Sequence, residues 1–250
     1  AYQYRLSTNN SSGCDFNSNA TTLTVVADPS ISVQPTSPAA ICVGGTSANM
    51  TVTATGGTPS LVYQWQYNNG GTWESVADGT PSGAIYTGGT SNAMSVSGIL
   101  NPGSYQYRCF VSANGNGCGT VTSGAVTVTV VADPSITTQP TANFSSICTG
   151  GTSTLTVVAS GGTPSLTYQW QYNNGGTWAN VVNGTPTGAA YTGATSASLA
   201  VATISVAGTY QYQVIVTASG NGCNPVTSDP VSVTVVPDPT LSVPSFTNTS

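Results

Sequence analysis

Residues 56–73 read GGTPSLVYQWQYNNGGTW, and residues 161–178 read GGTPSLTYQWQYNNGGTW, with Val62 against Thr167 as the one difference. A near-copy returning after 105 residues has the period of a whole domain, and this constrains the chain more than any other feature. The flanks keep the same step: DPSISVQP begins at Asp28, DPSITTQP at Asp133, and DPTLSVP at Asp238. The expected organisation is therefore one full repeat over 28–132 and a second over 133–237. Residues 1–27 match the rear of a repeat and are expected to be the last two strands of a preceding one. Residues 238–250 restart the pattern as the first strand of a following one. The chain reads as a window on a longer array.

Inside a repeat the hydrophobic period is two, not 3.6, with strands bounded by turn residues. In the first repeat this predicts strands near 30–33, 48–54, 61–67, 72–77, 93–99, 105–112 and 120–130. Alternation sends Tyr63, Trp65 and Tyr67 to one face and Gln64 and Gln66 to the other. Asn68-Asn69-Gly70-Gly71 has the chemistry of a tight hairpin turn. Seven short strands with one wet face each predict an all-β fold, a β-sandwich per repeat.

Trp65 and Trp170 stand where an immunoglobulin-like domain keeps its buried strand-C Trp. Gly103-x-Tyr105-x-Tyr107 and Gly208-x-Tyr210-x-Tyr212 are similar to its strand F with a tyrosine corner. With Cys-x-Gly-Gly, Gly-Gly-x-Pro, Tyr-x-Trp and Asn-Gly-Gly-x-Trp, the pattern resembles the tandem Ig-like repeats of secreted Bacteroidota surface proteins. These include giant gliding-motility adhesins exported by type IX secretion. The resemblance implies tandem immunoglobulin-like β-sandwich domains in an elongated array, set in an extracellular, adhesive context, and names no ligand.

Composition narrows the function. Charged residues make up 4% of the chain, with no His and only Arg5 and Arg108 as side-chain cations. A nucleic-acid partner needs clustered Lys and Arg, which are missing. No apolar run is long enough for a membrane-spanning helix, so membrane insertion is not expected. Without His, Ser-His-Asp and Cys-His catalysis are impossible. Glu74 and Asp78 form a possible carboxylate pair, but the second repeat has Ala179 in place of Glu74. No enzymatic activity and no cofactor are expected.

Six cysteines remain: Cys14, Cys42, Cys109, Cys118, Cys148 and Cys223. Recurrence at equivalent places makes Cys42–Cys118 and Cys148–Cys223 the preferred disulfides, each stabilising by roughly 4 kcal/mol in the loop-entropy model. Zinc is the competing reading, but His and C-x-x-C spacing are both lacking. Cys14 would look for a partner upstream, and Cys109, which matches Val214, is expected to be an inert core thiol. Disulfides imply an oxidising compartment, hence the extracellular cell surface.

Asp28-Pro29, Asp133-Pro134 and Asp238-Pro239 recur at each junction. They suit either calcium or a local turn in which the Asp side chain bonds nearby backbone; the turn is preferred, since one Asp per junction is too few oxygens. Trp73 and Trp178, beyond the Asn-Gly-Gly turn, are the candidate ligand-facing aromatics, either sugar platforms or edge packing. Asn-x-Ser/Thr triplets at Asn10, Asn19, Asn49, Asn143, Asn183 and Asn248 matter only where the host glycosylates them. The function expected is a stalk or filament repeat of a long surface adhesin, with neighbouring repeats, other copies or surface glycans as partners. The alternatives are a carbohydrate-binding module and a non-covalently polymerising subunit.

Overall fold

A computed structural model describes residues 1–9 and 11–241; Asn10, Asn248 and the 242–250 part of the expected following strand lie outside them. The described residues hold strands and turns and no helix. In 1–27 the strands are β1 (Tyr2–Tyr4), β2 (Ser7–Thr8), β3 (Phe16–Asn17) and β4 (Thr21–Leu23). Then come β5 (Ser30–Val33), β6 (Ile41–Cys42), β7 (Met50–Thr51), β8 (Thr53–Thr55), β9 (Leu61–Asn69) and β10 (Thr72–Ser75). They are followed by β11 (Ile85–Thr87), β12 (Ala93–Ser97), β13 (Gly103–Ala113), β14 (Val121–Thr122) and β15 (Val126–Val131). The second repeat supplies β16 (Ser135–Ala142), β17 (Ser146–Cys148), β18 (Thr152–Ser160), β19 (Leu166–Asn174) and β20 (Thr177–Asn180). It ends with β21 (Ala190–Thr192), β22 (Ser198–Ala202), β23 (Gly208–Ala218), β24 (Val226–Thr227) and β25 (Val231–Val236).

Packing divides the chain into two units: residues 1–39, 47–97 and 104–128 in one, and 40–46, 98–103 and 129–250 in the other. In the second unit two sheets face each other. One has the order β16-β18-β22-β21, the other β17-β25-β23-β19-β20 with β24 alongside β23. Lettered in chain order these are A-B-E-D and A′-G-F-C-C′, the strand order of an immunoglobulin-like β-sandwich. Between the sheets lie Trp170, Leu155, Leu199, Val201, Ile204, Tyr212, Val214 and Val233, all fully buried. On β18, β22, β23 and β25 the inward side chains are every second residue, as the sequence alternation requires.

The first unit repeats the pairings it contains. β9 runs antiparallel to β10 and β13, with Trp65 opposite Cys109 as Trp170 is opposite Val214. β11, β12 and β7 form a second sheet, and β5 pairs β8. Met50, Val52, Trp65, Met94, Val96 and Val111 are fully buried. The segment before Asp28 forms two small antiparallel pairs, β1 with β4 and β2 with β3. Its Tyr2, Tyr4 and Leu6 are exposed, whereas Tyr107 and Cys109, the equivalents of Tyr4 and Leu6, are fully buried.

The expected strands differ from the observed ones in four places, the first being 48–54, where β7 and β8 stand as separate short strands paired with β12 and β5. Each repeat adds a short strand before its Gly-Gly pair, β6 or β17, that runs parallel to β15 or β25. Each also adds a three-residue strand, β11 or β21, too short for alternation to reveal. The expected strand at 120–130 is two strands. Buried Ser123 interrupts it, its Oγ accepting the Cys109 amide at 2.8 Å in place of a backbone carbonyl, as Ser228 Oγ does for Val214 at 2.9 Å.

Candidate functional site

The copied motif builds the hairpins β9–β10 and β19–β20. Their two-residue turns place Gly70 (φ 62°) and Gly71 (φ 100°), and likewise Gly175 and Gly176, at positive φ. Asn68 Oδ1 accepts the Gly71 amide at 2.8 Å, and Asn173 Oδ1 the Gly176 amide at 2.7 Å. Positive φ at both turn residues matches the right-handed twist of the flanking strands. Trp65 and Trp170 are anchored by their indoles, which donate to Ser91 O (2.9 Å) and Ser196 O (2.8 Å). The tyrosine corner is present in the second repeat, where Tyr210 Oη donates to Val206 O at 2.7 Å.

Each repeat also holds a tyrosine cluster. Tyr107 packs against Tyr67 (5.6 Å) and edge-on against Tyr86 (6.0 Å), and Tyr212 does the same with Tyr172 (5.7 Å) and Tyr191 (6.1 Å). The hydroxyls of Tyr86 and Tyr107 lie 3.3 Å apart, as do those of Tyr191 and Tyr212. Burial pushes the Tyr86 and Tyr191 phenols up to about 12 and those of Tyr107 and Tyr212 further still. These groups serve the core and carry no acid–base chemistry near neutral pH.

Trp73 and Trp178 lie on β10 and β20, each half-buried. The Arg108 guanidinium carbon sits 4.4 Å from the centroid of the Trp73 ring, and Arg108 Nε donates to Gln66 Oε1 at 2.8 Å. That face of Trp73 is therefore occupied by the protein's own cation. In the second repeat Gln213 replaces Arg108 and donates to Gln171 Oε1 at 2.8 Å. Gln64 and Gln169 turn their amides to the carbonyls of Trp65 and Trp170. The outward polar row is thus largely satisfied within the sheet. Sequence reasoning missed Arg108 as the cover of Trp73, although alternation puts Arg108, Gln66 and Trp73 on one face.

The junction aspartates bond differently from the local turn expected. Asp28 Oδ1 accepts the Gly119 amide at 2.9 Å, and the Asp133 carboxylate accepts the backbone amide (3.3 Å) and the side-chain amide (2.8 Å) of Asn224. Each Asp clips the start of a repeat to the last hairpin of the same repeat, 91 residues on. Among the described residues no three His, Cys, Asp or Glu side chains are grouped to hold a metal ion.

The disulfide is the largest departure from expectation. Cys42 is bonded to Cys223, with Cα atoms 4.9 Å apart and 181 residues between them in sequence. The expected pairs Cys42–Cys118 and Cys148–Cys223 are not formed; Cys118 and Cys148 are free thiols, as is Cys14. Both bonded cysteines belong to the second unit, where the Asn221 backbone carbonyl accepts the Cys42 amide at 2.9 Å. Positional recurrence alone could not choose between partners in the same repeat and in the next. Cys109 is a buried core thiol, pushed up to about 11 by burial.

No family model matches this sequence, and no curated protein matches it. Among solved structures the chain is similar to extracellular domains 3–5 of Drosophila OTK (18% identity, TM-score 0.43, 95% of this chain and 71% of that one). It is also similar to the tandem Ig repeats of Dlar (20% identity, TM-score 0.32, 85% and 100%). A third is the first two Ig domains of DIP-gamma (15% identity, TM-score 0.42, 83% and 97%).

Proposed function

We propose that this chain is a load-bearing segment, a stalk or filament repeat, of a long adhesin displayed on the outside of a cell. The observation that carries this reading is the Cys42–Cys223 disulfide, which closes 181 residues drawn from the sequence of both repeats. A covalent loop of that size bypasses most of the chain when the ends are pulled. Such a bond persists in an oxidising compartment, which supports an extracellular setting. The low charge and the lack of His support a role without catalysis. Motif resemblance extends the proposal to a secreted Bacteroidota surface protein of the gliding-adhesin type, with neighbouring repeats as its first partners. Trp73 and Trp178 serve in this reading as edge packing of the β9–β10 and β19–β20 hairpins.

Single-molecule pulling from the two termini tests the load-bearing role. Under oxidising conditions the extension should come only from the segments outside the Cys42–Cys223 loop. Reductant should release roughly 600 Å more, the contour of the closed loop at about 3.5 Å per residue. Equal extension with and without reductant would remove the observation on which the role rests.

A further inference from the structure

Within the second unit one loop already holds a partner. Cys42-Val43-Gly44-Gly45-Thr46 receives the turn Asn221-Gly222-Cys223. Besides the disulfide, the Cys42 amide donates to Asn221 O at 2.9 Å and the Thr46 amide to Asn221 Oδ1 at 2.7 Å. The turn lies so close to Gly45 that a Cβ there would meet the Asn221 carbonyl oxygen. Cys42 and Gly45 are buried.

The second repeat carries the same loop, Cys148-Thr149-Gly150-Gly151-Thr152, in the same backbone setting. Thr149 N donates to Val236 O as Val43 N does to Val131 O, both at 3.0 Å. Gly150 N donates to Ile204 O as Gly44 N does to Ile99 O, both at 2.9 Å. Gly151 N and Gly45 N each close on the carbonyl of their cysteine at 2.9 Å. The difference is occupancy. Cys148 is an exposed thiol, and a Cβ on Gly151 would meet no foreign chain. The first repeat in turn carries a copy of the inserted turn, Asn116-Gly117-Cys118, with Cys118 free.

We infer that the Cys148 loop is a docking socket for the Asn-Gly-Cys turn of a further Ig-like repeat of this kind, closed by a disulfide. The carboxamide of the incoming Asn accepts the Thr152 amide, as Asn221 accepts the Thr46 amide, and its backbone carbonyl accepts the Cys148 amide. The two thiols then form one S–S bond. They give up two electrons and two protons to a low-molecular-weight disulfide such as oxidised glutathione, whose own S–S bond breaks to leave two thiols. Each repeat in an array would thus be stapled to the next. The inference deepens the structural-repeat reading and rests on it for the existence of such a partner.

The test uses the oxidised protein and a synthetic peptide of residues 219–225, Ser-Gly-Asn-Gly-Cys-Asn-Pro. The peptide is equilibrated with the protein in glutathione buffers, and its mixed disulfides at Cys148 and Cys14 are quantified by peptide mass mapping. The Cys148 adduct should withstand about tenfold more reduced glutathione than the Cys14 adduct, the effect of two well-placed hydrogen bonds. Replacing the peptide Asn that corresponds to Asn221 by Ala should cut the difference to about threefold, because the side-chain hydrogen bond is lost and the backbone one remains. Equal resistance at the two cysteines, or no effect of the Ala peptide, overturns the socket. Either failure leaves the pulling experiment, which reads Cys42–Cys223 alone, unaffected.

Discussion

At the scale of single residues, the buried tyrosines give the molecule its pH dependence. Desolvation raises Tyr86 and Tyr191 to about 12 and Tyr107 and Tyr212 beyond that, against an ordinary value near 10. A phenol whose folded pKa is raised keeps its proton in the native state after the unfolded chain has lost it. Its contribution to stability is complete below about pH 10 and is lost as the pH climbs through the folded value. Absorbance at 295 nm should show these four titrating only in a steep step coincident with loss of near-UV circular dichroism. Ionisation of these four near pH 10 while the near-UV signal persists would contradict the burial. The inward placement of Tyr107 and Tyr212 was legible from alternation alone. The contact of Tyr86 and Tyr191 was not, because both lie on three-residue strands with no measurable period.

At the scale of elements, the Gly-Gly-x-Pro corner matters more than the hairpin turn that first draws the eye. Gly161 has φ 81°, and a Cβ there would collide with the Asp133 carbonyl oxygen; Gly162 N donates to Ala132 O at 2.8 Å. The corner thus fastens the start of the repeat to the end of β18, beside the Asp133–Asn224 clip. Gly176 has φ 97° but open space around it. Gly176→Ala should therefore cost about 1 kcal/mol, the left-handed backbone penalty alone. Gly161→Ala adds a clash with backbone that cannot swing aside and should cost at least about 2 kcal/mol more. Urea denaturation of the two variants measures the difference, and equal midpoints would refute this ranking. Both glycine pairs stand out in the sequence as parts of the copied motif. Their unequal weight does not, since it arises from Ala132 and Asp133, about thirty residues away in the chain.

At the scale of the whole molecule, the repeat period was plain in the sequence and the disulfide pairing was hidden by it. When Cys42 and Cys148 are equivalent, and Cys118 and Cys223 are equivalent, a bond within one repeat and a bond to the next obey the same translational symmetry. Only the placement of the loops in space decides, and it seats Asn221 against Cys42 and Thr46. The thermodynamic consequence is large. Closing 181 residues restrains the unfolded chain by about 5 kcal/mol in the loop-entropy model, somewhat more than either pairing confined to one repeat would give. Cys42→Ser and Cys223→Ser should therefore lower the urea midpoint by similar amounts, and the double variant by no more than either single one, because the same bond is lost each time. Cys118→Ser and Cys148→Ser should leave the midpoint unchanged, since both thiols are free. Denaturation curves with and without reductant complete the comparison. Reductant should shift the wild-type midpoint onto that of Cys42→Ser and leave the latter unmoved. A midpoint that falls on Cys118→Ser instead would place the bond within the first repeat and refute the observed pairing.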